Sequence, residues 1–230
     1  MKAHPSLITG ESTPSYLLSS DVVIPRVKAV APWVKLIVMV RDPVERAWSH
    51  YRMVTADDGT EAQRAIRGRA WEGMSFEEVV AMEMRQLEKY GLGEGMFHNV
   101  VNKSKEEQTE ALEKYLKSVP MGSGSHSLIV RGLYYLQLLP WKEAGFELLV
   151  LNLKNMAANV EREVFKAYDF LGLPKERLSK EGTEAKNVRP PKKGDKMGQA
   201  VHDRLTKYYT AWDQLFFDSM RWEGDDRKWR

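Results

Sequence analysis

The chain contains no cysteine. That excludes disulfides, thiolate zinc sites and cysteine nucleophiles. It has no apolar run of about 18 residues, the length a membrane-crossing helix needs, so no membrane segment is expected. Met1 to Tyr16 lacks the long apolar core of a signal peptide. Charge of one sign is scarce: 35 basic and 32 acidic residues leave a net +3. So mild an excess does not imply a nucleic-acid partner, although local basic clusters can still hold an anion. The 5 histidines show no metal-ligand spacing, and no metal is expected. Gly-Lys-Ser/Thr is missing, which argues against a nucleotide kinase. What remains is 230 residues, 43% apolar and 29% charged, without internal repeats. That length holds one α/β domain or two small ones; a single domain over residues 1–230 is expected.

Along the chain, Met1 to Trp33 carries several prolines and reads as loop, with a short strand at Ser6 to Thr9. Leu36 to Val40 is a continuous apolar run, the pattern of a strand covered on both faces. Asp42, Pro43 and Glu45 then supply an N-cap, a first helical residue and a capping-box acid for a helix to about Thr55. Asp57 to Gly73 reads as an exposed loop. Ser75 caps a helix that "GLGEG" stops near Tyr90, and Lys105 to Ser118 forms a polar helix. Ile129 to Trp141 reads as an apolar helix and Phe146 to Leu151 as a second buried strand. Val160 to Leu171 is an amphipathic helix ending at Gly172, Lys175 to Gly198 a basic loop, and Ala200 to Met220 the last helix. Buried strands separated by helices predict an α/β fold, a parallel sheet flanked by helices. Two or three strands are few for so much helix, so further strands are either hidden or outside this chain.

One stretch carries chemistry. "KLIVMVRDPVERAWSHY", Lys35 to Tyr51, places Arg41 at the carboxyl end of a strand, where open α/β sheets bind ligands. The next helix offers N–H groups nearby, and Ser49 a hydroxyl. A guanidinium fork with a hydroxyl suits a phosphate monoester. Equally, Arg41 can pair with Asp42 or Glu45 while Ser49 only packs.

The same stretch resembles the 3′-phosphate-binding segment of sulfotransferases that use 3′-phosphoadenosine 5′-phosphosulfate (PAPS). It is closest in style to the heparan sulfate and other Golgi carbohydrate enzymes. "GESTPSYL", Gly10 to Leu17, is similar to that family's Glu-Lys-Thr-Pro-x-Tyr-Phe stretch, and Pro25-Arg26 follows it. "RGLYYLQLLPWKEAGFELLVLNLKNM", "FLGL" at Phe170 to Leu173 and "DRLTKYYTAWDQLF" resemble its later helix, strand and C-terminal helices in order. Asp57 to about Ser127 has no counterpart. The resemblance implies a P-loop NTPase-like sulfotransferase fold and in-line transfer of a sulfonate from PAPS to a hydroxyl or amine of a carbohydrate, such as an anionic polysaccharide, in the Golgi lumen. It gives Arg41 and Ser49 the 3′-phosphate. It makes Tyr134 a nucleotide contact, with core packing as the alternative, and Arg189, Lys192 and Lys193 contacts to its phosphates, with a solvated loop as the alternative. Arg131 faces either an anionic acceptor or a surface salt bridge.

Three departures qualify that reading. The family's phosphosulfate loop, with its lysine and the glutamate base after it, is not found. The fold is therefore expected to be N-terminally incomplete, with the catalytic groups upstream of residue 1. Ser12 replaces the lysine of Glu-Lys-Thr-Pro, and no cysteine pair accompanies the basic loop "NVRPPKKGDK". The rival expectation is an inactive relative that binds nucleotide or an acidic glycan.

Overall fold

The structure, a computed structural model, describes residues 8–119, 124–179, 183, 196–222 and 228–229. Its one sheet among these residues has two strands, β1 (Leu36–Val40) and β2 (Leu148–Asn152). They are parallel, with Leu36 opposite Leu148 and Val40 opposite Asn152. The mixed α/β architecture, a small parallel sheet flanked by helices, follows the expectation from the apolar runs. The faces do not. Val38, Leu148 and Val150 pack against the core, whereas Ile37 and Met39 are 42% and 45% exposed. β1 therefore alternates like a strand covered on one side, and its unbroken apolar run suggested the opposite. The second strand also starts later than Phe146, whose ring packs on Trp141 at 5.5 Å instead.

The N-terminal segment is helical where loop and strand were expected: α1 (Ser15–Leu18) and α2 (Ser20–Val30). Ile8 and Thr9 are not in a strand, and Ser6 lies outside the described residues. Pro25 sits inside α2. Packing of α2 on the later helix Tyr134–Glu143 offsets its missing N–H. The preceding α1 is anchored alongside by buried Leu18 and by the Trp141 indole, which donates to the Leu17 carbonyl at 3.4 Å.

α3 (Pro43–Val54) begins as its sequence predicts, with one change. The Asp42 carboxylate accepts from Val44 N at 2.8 Å and Glu45 N at 3.2 Å, and no reciprocal Glu45 bond completes a capping box. Within the expected loop lies α4 (Glu61–Arg67), opened by a Thr60–Gln63 capping box. α5 (Phe76–Glu88) and α7 (Lys105–Lys117) are both started by serine capping boxes, with α6 (Phe97–Val101) between them.

The expected helix from Ile129 is broken in two. Val130–Gly132 is a 3₁₀ turn, and α8 (Tyr134–Glu143) follows. Gly132 explains the packing there: a Cβ would lie 2.8 Å from both Pro43 Cβ and the Tyr209 hydroxyl. Only glycine lets this turn sit between α3 and the C-terminal helix. α8 is buried all round, from Tyr134 to Trp141, with Pro140 the half-buried exception. α9 (Leu153–Ala158) leaves β2 directly, and α10 (Val160–Leu171) packs on that strand and ends at left-handed Gly172. α11 (Gln199–Met220) buries Leu205, Tyr209, Trp212 and Phe216 against α3 and α8.

Candidate functional site at the carboxyl end of the sheet

Arg41 follows Val40, the last residue of β1, and Asn152 ends β2 opposite Val40. The parallel register thus brings both to the carboxyl edge of the sheet. The Arg41 backbone is held on both sides by one hydroxyl. Tyr134 Oη donates to the Arg41 carbonyl at 2.9 Å, and Arg41 N approaches the same oxygen at 3.4 Å. Tyr134 is 5% exposed and packs against both Phe216 and Trp229, with ring centroids at 5.7 and 5.9 Å. Burial pushes its hydroxyl up to about 12, so it stays protonated and able to donate. Its ring belongs to the core, and its hydroxyl fixes the direction in which β1 releases Arg41.

The Arg41 guanidinium is half-buried and makes no hydrogen bond or ion pair with any described residue. Neither Asp42 nor Glu45 takes it up. Ser49 lies exposed on α3, its hydroxyl likewise unbonded to described residues. The helix N-terminus contributes less than its position promised. Asp42 already occupies the N–H groups of Val44 and Glu45, so those donors are spent on a cap. Arg189, Lys192 and Lys193 lie outside the described residues.

A cavity of ≈ 390 Å³ opens beside the start of α3, lined among others by Asp42, Pro43, Thr206, Thr210, Asp213 and Lys228. Neither Arg41 nor Ser49 lines it. Burial, with Asp42 adding to it, pushes the Asp213 carboxyl well above the usual carboxylate range. The cavity thus holds two carboxyl groups, Asp42 and Asp213, and the Lys228 ammonium.

Arg131 is neither on the surface nor in a salt bridge with a described carboxylate. It is half-buried, and its side chain neighbours Arg46, Glu83 and Tyr115. Sequence reasoning passed over Glu83, which is 1% exposed on α5. Its two oxygens accept from Leu128 N and Ile129 N, each at 2.9 Å. The signal was present: Glu83 falls on the same helical stripe as Val79, Val80, Met84 and Leu87, which are all 0% exposed.

No protein-family model and no curated protein matches the chain.

Proposed function

We propose that this protein binds PAPS through its 3′-phosphate and is a carbohydrate sulfotransferase with a P-loop NTPase-like fold. One observation carries the reading. A parallel strand delivers Arg41 to the carboxyl edge of the sheet with its guanidinium unpaired by any described residue and its backbone clamped by Tyr134. An arginine held in place but left without a counter-charge is suited to an anion from outside. Ser49 on α3 supplies the second donor. PAPS itself provides the transferable sulfonate; Arg41 and Ser49 orient it and move no proton. Acceptor activation falls to groups not identified among the described residues.

A second reading, a nucleotide binder that transfers nothing, rests on the same arginine, since Arg41 and Ser49 can hold a phosphate without moving a proton.

Calorimetric titration with 3′,5′-adenosine bisphosphate and with 5′-AMP tests the binding claim. The bisphosphate should bind more tightly. Charge-assisted hydrogen bonds contribute roughly 1.5–3 kcal/mol each, so Arg41→Ala should weaken it by about one to two decades while hardly changing 5′-AMP. Ser49→Ala should act in the same direction, more weakly. Equal weakening of both ligands by Arg41→Ala would refute a 3′-phosphate role. Transfer of labelled sulfonate from PAPS to a glycan would decide for the enzyme over the inactive binder.

A further inference from the structure

One long edge of β1 has no strand beside it among the described residues. Leu36 N donates to the Glu147 carbonyl at 3.0 Å, so Leu36, Val38 and Val40 turn their backbone polar groups toward β2. Successive residues of a strand point these groups to opposite sides. The N–H and C=O groups of Ile37 and Met39 therefore face away from β2, and no described group bonds to them. The side chains of the same two residues are exposed. On β2 the corresponding face is closed: Leu151, opposite Met39, is buried, and α10 packs on that strand. The cover reaches β2 and leaves β1 with an unpaired edge and a bare apolar strip. Such an edge is a template for another strand.

Charge decides the occupant. Lys35 precedes Ile37 by two residues and Arg41 follows Met39 by two, so both fall in the same register as the exposed pair. A second copy of this chain is a poor fit. The antiparallel register that pairs all five residues of β1 with themselves centres on Val38. It sets Ile37 against Met39, but also Arg41 against Lys35, twice. Like charges directly opposite destabilise a strand pair. Lys35 already has Glu147 at 3.4 Å, whereas the Arg41 guanidinium has no described counter-charge. The strand that fits carries a carboxylate opposite Arg41 and apolar side chains opposite Met39 and Ile37.

We propose that the free edge of β1 binds an extended peptide segment of a partner protein, antiparallel, in which an acidic residue is followed two and four positions later by apolar ones. Backbone hydrogen bonds to Ile37 and Met39 hold the segment, and its alternate side chains select it. The edge is present whether or not Arg41 holds a nucleotide, so the inference does not depend on that reading. A 3′-phosphate on Arg41 would compete with the acidic residue alone.

Fluorescence anisotropy of a labelled Glu-Thr-Val-Thr-Val peptide, without nucleotide, tests it. Saturable binding is expected. N-methylation of both valines removes the donors aimed at the Met39 and Ile37 carbonyls and leaves the side chains in place. It should weaken binding by about ten- to a hundredfold. Replacing the glutamate by lysine should weaken it about tenfold. Sedimentation velocity of the chain alone should show a monomer. No saturable binding up to about 1 mM peptide, or equal binding of the N-methylated peptide, would overturn the proposal. A dimer of the chain that the peptide dissociates would also overturn it and assign the edge to a second copy.

Discussion

Leu136 on α8 and Met39 on β1 are both apolar residues of regular elements, yet Leu136 is 0% exposed and Met39 45%. The contrast runs through the molecule. On the helical side, α5, α8 and α11 bury almost every apolar side chain, and the backbone of the segment joining α7 to α8 is pinned by side chains. Glu83 takes two of its N–H groups, while Tyr209, Gln137 and Arg46 donate to its carbonyls. On the sheet side, Trp33, Ile37 and Met39 stay open, and the Arg41 guanidinium pairs with no described residue. Where polar groups are spent on the fold, a substitution should cost stability. Where one is left unspent, it should cost a ligand.

The largest effect should come from Glu83→Ala. It strands two buried N–H groups and removes the carboxylate beside Arg46 and Arg131, at a cost of about 3–5 kcal/mol. Denaturant unfolding would measure it, and a loss no larger than at a surface site would dissolve the contrast. Leu136→Ala, which opens a cavity in the same region, should cost about 2–5 kcal/mol.

The pH dependence sharpens the comparison. Burial pushes the Glu83 carboxyl up to about 7 from 4.5, against the opposing pull of the Ile129 and Leu128 N–H groups and the two arginines. For an acid raised in the native state, the stabilising contribution is complete below pH 4.5 and lost as pH rises through 7. Burial, and then Arg46, lowers His50 from 6.5 to about 3, so its contribution is present above pH 6.5 and lost as pH falls towards 3. These slopes oppose each other, so the useful reading is a difference. Glu83→Gln should gain on the wild type as pH rises from 4.5 to 7. A pH-independent difference in unfolding free energy would place the Glu83 titration elsewhere.

On the sheet side, Met39→Ser should change stability by less than about 1 kcal/mol. A loss like that at Leu136 would mean that the face of β1 is covered in solution.

The two sides also differed in how far the sequence revealed them. Leu36 to Val40, the Asp42-Pro43 helix start and the Ser75 helix were readable because each has a local cause: an apolar run, a cap, a pre-set φ. The open face of β1 was not, since "LIVMV" is equally apolar on both faces and only the packed neighbours of Val38 distinguish them. α2 was hidden by Pro25, whose effect is outweighed by contacts with α8. α4 has the capping-box spacing of Thr60 and Gln63 but buries none of its residues, so the apolar stripe that marks a helix in a sequence is missing there. At the candidate site, the position of Arg41 was legible. The Tyr134 clamp on its backbone was not, because it joins residues far apart in the chain.

Thermal denaturation of Arg41→Ala with and without 3′,5′-adenosine bisphosphate tests the central claim most directly. Without ligand its midpoint should match the wild type within about 2 °C, because the guanidinium supports nothing described in the fold. With ligand, the stabilisation expected of the wild type should be largely missing. A lowered midpoint without ligand, together with an undiminished ligand shift, would show that Arg41 holds the structure and that the nucleotide binds elsewhere.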